Sequence, residues 1–118
     1  METRKIKALI KSGQSLSEPI DLEGYMLATI HLPSAWTTAG SLTVQVAHTD
    51  GGTYQDLYDD TGVEVAITGP ASPAGKSIAI TTNAVALASA QFIKLRSGTS
   101  GTPVAQGADR TIYLSVKR

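Results

Sequence analysis

Residues 41–68 carry the clearest alternation of apolar and polar positions in the chain, and they predict three short β-strands. The apolar rows of the first and third strands are Leu42, Val44 and Val46, then Val63, Val65 and Ile67. Two tight turns are predicted between the strands, because the strings DGG at 50–52 and DDTG at 59–62 have the residue types that turns require. We therefore predict a β-meander in this stretch.

Further short apolar runs occur along the rest of the chain. They lie at residues 5–11, 16–22, 25–32, 77–81, 92–96 and 111–116. The first two are predicted edge strands, because outward lysines discourage strand association in KIKALIK and Pro19 lacks the amide hydrogen that a central strand donates. The stretch 83–91 is rich in alanine and predicts one or two helical turns.

Two of these runs carry side chains whose direction bears on function. Residues 25–32 predict a central strand with His31 on its outer face. The row predicted to face the core is Met26, Ala28, Ile30 and Leu32. Residues 92–96 predict a strand with Ile93 and Leu95 inward. Lys94 and Arg96 are then expected to point outward into solvent.

About eight strands at nearly regular spacing, with little helix, predict an all-β fold. The expected arrangement is an antiparallel β-sandwich, with jelly-roll-like strand order as the alternative to a simpler sandwich. A chain of 118 residues is expected to form a single domain, residues 1–118. That length can bury a core without help from disulfides or metals.

Composition narrows the classes of partner. Charged residues make up only 17% of the chain, below the usual quarter, so its Thr-, Ser-, Ala- and Gly-rich surface is either partly covered by neighbours or simply typical of a β-sandwich. The chain has no cysteine, and no apolar run reaches the length of a transmembrane helix. The charged residues 2–7 lack the core of a signal peptide. We expect no membrane partner and no export by that route.

Charge is unevenly distributed, although the formal net charge is zero. Between Ser12 and Gly75 there is no Lys or Arg, and this acidic block contains Glu18, Asp21, Glu23, Asp50, Asp56, Asp59, Asp60 and Glu64. The first eleven residues and the last third are basic. If these blocks form separate ends of the body, the dipole favours head-to-tail packing of copies or docking on a charged lattice. Alternatively, the blocks interleave in space and the field averages out.

Two loops are candidate contact regions. Residues 34–40 follow Pro33, which ends a strand, and they contain the only tryptophan, Trp36. Trp36 is expected to close the open end of the core, and a partner anchor or sugar-stacking platform is the alternative. Residues 97–110 (SGTSGTPVAQGADR) form the longest stretch without a strand pattern. Loops of that length in compact domains are usually functional or disordered.

The sequence offers little chemistry for catalysis or metal binding. No serine lies in a G-x-S-x-G context that would serve His31 or His48, so we expect no enzymatic activity and no cofactor. The acidic residues considered as Ca²⁺ ligands are Asp50, Asp56, Asp59, Asp60 and Glu64. Their spacing fits no EF-hand loop, and turn chemistry accounts for the turn aspartates, so we predict no metal site. A basic excess with interleaved aromatics is missing, so nucleic acid is not an expected partner.

Four short sequence segments together are similar to those of one group of proteins. They are LPSAWT at 32–37, DGGTYQDLYD at 50–59, IKLRSGT at 93–99, and PVAQ at 103–106 with Arg110. Over about residues 20–118, the chain resembles the small virion structural proteins of tailed bacteriophages. The resemblance implies a capsid decoration (cement) protein that binds and stabilises the assembled head. A neck, tail or fibre-associated protein is the alternative within this class.

The resemblance also implies partners and a location. The partners would be the major capsid protein or other virion subunits, and the chain would form a homo-oligomer, with a trimer favoured. It would be found in the virion, after assembly in the cytoplasm of the bacterial host. The residues predicted to bind the partner are Trp36, Arg4, Lys5, Lys7, Thr99, Thr102, Pro103, Val104, Gln106 and Arg110.

Two further expectations complete the functional prediction. Deleting residues 99–107 is expected to abolish attachment to the capsid while leaving the fold intact. The alternative from a different class is a carbohydrate-binding module. Its candidate aromatic side chains are Trp36, Tyr25, Tyr54, Tyr58 and Tyr113.

Overall fold

The structure, a computed structural model, describes residues 2–38 and 41–118. Within these ranges the chain forms nine strands and one short helix. The strands are β1 (Thr3–Ile10), β2 (Ile20–Asp21), β3 (Met26–His31), β4 (Leu42–Ala47), β5 (Gln55–Asp56), β6 (Ala66–Ile67), β7 (Ser77–Ala79), β8 (Phe92–Ser97) and β9 (Arg110–Lys117). The helix, α1 (Ala84–Leu87), lies in the predicted alanine-rich stretch.

Two antiparallel sheets pack face to face, which confirms the predicted all-β sandwich. The first sheet has the strand order β1-β9-β3-β7 and the second has the order β2-β8-β4-β5, with β6 also paired to β4. Because β8 occupies one whole edge of β4, both β5 and β6 lie along the other edge and act as one interrupted strand. Counted that way, the first strand pairs with the last and the second with the one before the last, which is the order of an eight-stranded jelly roll.

The meander predicted for residues 41–68 is wrong in its pairing. The strands β5 and β6 both pair with β4, and residues 57–65 between them form a small hairpin. The hairpin is joined to β4 at its base, where the Leu57 amide donates to the Val44 carbonyl at 3.2 Å. Tyr58 pairs with Glu64 in this hairpin, and the Gly62 amide donates to the Asp59 carbonyl at 3.1 Å. The turn at 59–62 is therefore confirmed. The predicted pairing of the second strand with the third is wrong, because both β5 and β6 pair with the same edge of β4. We call residues 57–65 the acidic hairpin.

The core lies between the two sheets and is built from alternate strand residues. Side chains that are at most 1% exposed include Ile10, Ile30, Ile112 and Leu114 from the first sheet, and Val44, Ile93 and Leu95 from the second. Burying each such side chain contributes about 1.5–3 kcal/mol relative to leaving it in water. The apolar row predicted for β4 is therefore confirmed at Leu42 and Val44, and the inward row predicted for β8 is confirmed at Ile93 and Leu95.

The inward row predicted for the central strand β3 is wrong in its first half. Leu27 is 4% exposed and Ile30 is fully buried, whereas Met26 and Ala28 are half-buried. The pairing of β3 with β9 shifts between Leu27 and Thr29, so that Ala28 is an extra residue, a β-bulge. The bulge moves the alternation by one position. Both Leu27 and Ile30 thereby face the core.

The blocks of opposite charge interleave in space. Ion pairs join Arg4 to Glu23, Lys11 to Glu18, Arg118 to Glu2, and Arg96 to both Asp56 and Glu64. All but the pair of Arg118 with Glu2 connect a basic terminal segment to the acidic middle of the chain. The ion pairs therefore favour the interleaved arrangement over separate acidic and basic ends.

Candidate partner-binding site

Three loops meet at the end of the sandwich where β1 and β8 end and β9 begins. They are residues 11–15, 34–38 and 98–109, and we call the surface they form the Gln106 end. The Gly13 amide donates to the Gln106 carbonyl at 2.8 Å, and the Gln106 amide donates to the Gln14 carbonyl at 3.0 Å. The structure thus brings together the two predicted contact loops. It adds residues 11–15, where the sequence predicts a turn at 12–14 but no contact region.

The side chain of Gln106 links these loops from inside. It is 1% exposed. Its Oε1 accepts a hydrogen bond from the Thr37 amide at 2.9 Å, and its Nε2 donates to the Thr37 carbonyl at 3.1 Å and to Ser97 Oγ at 2.8 Å. Leaving a buried amide unpaired costs about 1–3 kcal/mol, so this geometry fixes residues 34–38 against the end of β8. A partner cannot reach the Gln106 side chain in this conformation.

Arg110 reinforces the same network. Its Nε donates to Gln106 Oε1 at 3.2 Å, and its Nη2 lies 3.5 Å from Thr37 Oγ1. The side chain is half-buried. Because the guanidinium is held by Gln106 and Thr37, Arg110 supports the surface from one side.

Residues 98–104 form a second hairpin, and a glycine at its base makes it possible. Gly98 has a φ of +93° and pairs with Pro103. A Cβ atom on Gly98 would lie 2.5 Å from the Thr102 carbonyl oxygen, so no other residue fits without moving the backbone. Thr102 and Pro103 are exposed, whereas Thr99 and Val104 are half-buried. Only the first two present most of their side chains to a partner.

Trp36 closes the core at this end, as its main interpretation predicted. The residue is 6% exposed, which does not fit an exposed anchor or a sugar-stacking platform. Its Nε1 has no hydrogen-bond partner within residues 2–38 and 41–118. The predicted loop 34–40 also includes Ala39 and Gly40, which lie outside the described residues.

Three of the four basic residues predicted to bind a partner, Arg4, Lys5 and Lys7, do not lie at the Gln106 end. Arg4 is at the opposite end of the sandwich, where its guanidinium lies 5.6 Å from the centre of the Tyr25 ring and pairs with Glu23. Lys5 and Lys7 lie along β1, on the outer face of the first sheet. The predicted contact set is therefore divided among three places.

We call the outer face of the first sheet the lysine face. Its residues on the four strands are Thr3, Lys5, Lys7, Leu9, Met26, Thr29, His31, Ser77, Ala79, Thr111, Tyr113, Ser115 and Lys117. His31 lies on this face, as predicted, with its Nδ1 2.7 Å from Ser77 Oγ and its Nε2 2.8 Å from Ser115 Oγ. The ring is held between two hydroxyls and, within the part of the chain that the structure describes, bonds to no carboxylate.

A group of charged residues that the sequence did not single out lies on the outer face of the second sheet. Arg96 was expected to reach solvent, and this is wrong because it is 5% exposed. Its guanidinium pairs with Asp56, and its Nη1 lies 3.3 Å from Glu64 Oε2 and 3.2 Å from Thr43 Oγ1. The Ser100 amide at the tip of the 98–104 hairpin donates to Glu64 Oε1 at 3.1 Å and covers the pair. We call these residues the Arg96 cluster.

The Arg96 cluster changes the electrostatics of its acidic members. The hydrogen bond from Arg96, followed by the one from Gln45 Nε2 at 3.1 Å, holds the pKa of Asp56 below its ordinary value. Asp56 and Glu64 were both considered as calcium ligands, and both bind a guanidinium here. In the described parts of the chain, no three His, Cys, Asp or Glu side chains lie close enough to hold a metal ion. The sequence does contain opposite charges at outward positions. That Arg96 lies near Asp56 and Glu64 can be recognised only once the strand order is known.

The aromatic side chains considered for sugar binding are dispersed. Trp36 and Tyr25 are buried, and Tyr54 is half-buried with Lys94 Nζ 4.7 Å from its ring centre. Tyr58 is 51% exposed on the acidic hairpin, and Tyr113 is 42% exposed on the lysine face. The two exposed rings belong to different sheets and do not form one platform.

Comparison with known proteins gives the chain no relatives. Searches against protein-family models, curated proteins and solved structures find no match in any of the three. No helix in the described parts of the chain is long and apolar enough to cross a membrane. The fold and the surfaces described above are therefore the structural basis on which a function can be proposed.

Proposed function

We propose that the chain is a non-enzymatic structural protein that binds a larger protein assembly through the Gln106 end. The observation that carries this proposal is a surface of small side chains on a backbone held from inside. Its exposed residues within the loop 98–109 are Gly101, Thr102, Pro103, Ala105, Gly107, Ala108 and Asp109. Beneath them, the buried amide of Gln106 connects the loops.

Such a surface is well suited to docking on a rigid neighbour. Immobilising a flexible loop costs free energy on binding, and a loop already fixed by buried hydrogen bonds avoids most of that cost. Small side chains that are mostly uncharged let two backbones approach closely and require little desolvation of charge. Affinity then comes from shape and backbone contacts.

The assembly we propose is the head of a tailed bacteriophage, with the chain as a decoration protein on the major capsid protein. Support comes from the sequence resemblance and from the jelly-roll arrangement, which occurs in viral capsid domains and in lectin domains alike. Because one fold serves many functions, the fold supports this role without assigning it. A protein that binds only assembled subunits stabilises the assembly by mass action. A neck, tail or fibre position would use the same surface.

The experiment must disturb the surface without removing its support. Deleting residues 99–107 would also remove Gln106, so a loss of binding could reflect a loss of the loop structure that Gln106 supports. We therefore choose Thr102→Glu with Ala105→Glu, both at exposed positions. The matched control is Ala71→Glu with Ser72→Glu, in an exposed loop between β6 and β7.

The readout is co-sedimentation with shells assembled from the major capsid protein of the same genome. We expect the Thr102 and Ala105 variant to bind at least about tenfold more weakly than the control, because two carboxylates would have to be desolvated in the contact. Both variants should melt within about 3 °C of the unmodified chain, since all four positions are exposed. Equal binding by the two variants would show that another surface makes the contact.

A carbohydrate-binding module remains the second class to test, through Tyr113. This ring is 42% exposed beside Lys7 and His31, and an exposed aromatic ring can stack against a sugar. Trp36→Ala is unsuitable because it would disturb the core. If glycan binding is found and is lost in Tyr113→Ala, this function replaces the structural one.

A further inference from the structure

The lysine face carries positive charge that the chain itself does not neutralise. Lys5, Lys7 and Lys117 form no ion pair within the residues the structure describes. Lys76, Lys94 and Arg110 form none there either, but they lie outside this face. The other residues of the face are Thr, Ser, Ala, Leu, Met, His and Tyr, and none is a carboxylate. The face is therefore positively charged and open to a partner.

The acidic hairpin is the complementary surface. Asp59 and Asp60 lie exposed at its tip and form no ion pair within the described ranges. The Asp59 Oδ1 accepts hydrogen bonds from the Thr61 amide at 2.9 Å and from the Val63 amide at 3.0 Å. Hydrogen bonds led by the Thr61 hydroxyl hold the pKa of Asp59 below its usual range. The negative charge is thus fixed in position by the turn.

Each of the two surfaces also exposes large apolar side chains. On the acidic hairpin, Tyr58 is 51% exposed and Val63 is 60% exposed. On the lysine face, Tyr113 is 42% exposed, with Lys7 Nζ 5.9 Å from its ring centre. Protein interfaces combine aromatic anchors with charges of complementary sign, and here both partners of such a combination occur on one chain.

We propose that the acidic hairpin of one copy docks on the lysine face of a second copy. The two surfaces cannot meet within one chain, because the hairpin leaves the β4 edge of the second sheet and the lysine face is the outer side of the first. The contact is therefore heterologous, and such contacts close into a ring or continue as a filament. The inference rests on the proposed function in that the resulting oligomer is the form that would bind the assembly.

Charge complementarity favours a second copy over other occupants. The formal net charge of the chain is zero, so copies do not repel one another as strongly basic proteins do. A nucleic acid would bind the lysines but would have no favourable contact with the acidic hairpin. A second copy uses both surfaces at once and covers Tyr58, Val63 and Tyr113 together.

The test reverses the charge of each surface separately and then mixes the two variants. The face variant is Lys5→Glu with Lys7→Glu. The hairpin variant is Asp59→Asn with Asp60→Lys, in which the asparagine oxygen can still accept the hydrogen bonds of the turn. The control is Lys76→Glu, an exposed lysine outside the lysine face whose Nζ donates only to the Ser72 carbonyl within the described residues. Mass is measured by light scattering and sedimentation over a range of concentrations.

We expect the unmodified chain and the control to exceed the 12.3 kDa monomer mass at about 0.05 M salt and to dissociate at about 0.5 M salt. Each charge-reversed variant alone should associate at least about tenfold more weakly, because attraction becomes repulsion. An equimolar mixture should associate again. In that mixture the reversed face meets the reversed hairpin, and the unchanged face meets the unchanged hairpin.

Three outcomes would overturn the inference: a monomeric unmodified chain, association in the variants alone, or a mixture that stays monomeric. Binding of a 20-base oligonucleotide by the unmodified monomer, lost in the face variant, would assign the lysine face to nucleic acid instead. The proposed function fails separately, since it is read from sedimentation with shells. A monomer that still binds shells would refute only the contact between copies.

Discussion

The outer faces of the two sheets both carry basic side chains at outward positions, and they use them in opposite ways. On the second sheet, Arg96 is 5% exposed and bound by two carboxylates. On the first sheet, Lys5 and Lys7 stand on an open surface without a carboxylate partner among the described residues. The alternation that places them outward is the same in both strands. Their neighbours decide what each of them does.

The difference teaches where charge contributes to stability in this fold. Arg96 is paired because Asp56 and Glu64 lie on the same face beyond the far edge of β4, so that β4 stands between them and β8. The neighbours of Lys7 on β9 and β3 are Tyr113 and His31, which offer no negative charge. The Arg96 cluster therefore stabilises the fold, and the lysine face remains available for binding.

The largest expected effect comes from removing the centre of the Arg96 cluster. Arg96→Ala leaves Asp56 and Glu64 facing each other without a cation, and breaking a buried ion pair typically costs about 3–5 kcal/mol. Because Asp56 is 33% exposed and water can reach it, we expect about 3 kcal/mol, at the lower end. Urea unfolding followed by circular dichroism measures the loss.

Arg96→Lys is the control for this variant. It keeps the charge but lacks the planar fork that binds two carboxylates, so it should recover part of the stability. A loss below about 1 kcal/mol in Arg96→Ala would mean that the cluster is no more important than an exposed ion pair.

The Arg96 cluster also shows how far the sequence could predict the fold. Alternation located the strands, since the inward rows at Val44, Ile93 and Leu95 are buried as expected. It could not say that β5 and β6 share one edge of β4, because that depends on contacts between distant segments. Without the pairing, Arg96 looked like an ordinary outward residue. The bulge at Ala28 was hidden for the same reason, as it is visible only in the register with β9.

A medium effect is expected from Asp56, and it should depend on pH. Binding to Arg96 lowers the pKa of Asp56 in the folded state from its ordinary value of 3.8. Its contribution to stability is then complete above that value, and it is lost as the pH falls from 3.8 through the lower pKa of the folded state. Asp56→Asn should destabilise the protein by about 1 kcal/mol at pH 7, where the carboxylate is charged.

The difference between Asp56→Asn and the unmodified protein should shrink as the pH falls below 3.8. Thermal unfolding at a series of pH values measures it. Asp60→Asn is the matched control, because this side chain is exposed on the acidic hairpin and should show little difference at any pH. If the Asp56→Asn difference stayed constant from pH 7 to pH 2, the pairing with Arg96 would not be the cause.

The candidate site was less predictable than the fold, and Gln106 explains why. The sequence identified residues 97–110 as a long loop and included Gln106 among its contact residues. It could not indicate that a polar side chain would turn inward and bind Thr37, which is 69 positions away in sequence. A glutamine in a loop usually faces solvent, and only the full set of hydrogen-bond partners reveals one that is buried. The sequence named Thr102, Pro103 and Gln106 together as contact residues. It could not show that the first two are exposed and that Gln106 is buried.

The smallest effect on stability is expected on the lysine face, whose outward cations are the direct counterparts of Arg96. Lys5→Ala with Lys7→Ala removes two outward cations, as Arg96→Ala removes one, but these side chains have no carboxylate partner among the described residues. Only the contact of Lys7 with the Tyr113 ring is lost, which at an exposed site is worth about 0.5 kcal/mol. Urea unfolding at low protein concentration, where copies do not meet, should therefore show a loss within about 0.5 kcal/mol. A loss approaching that of Arg96→Ala would mean that the lysine face, too, holds the fold together and is not free for a partner.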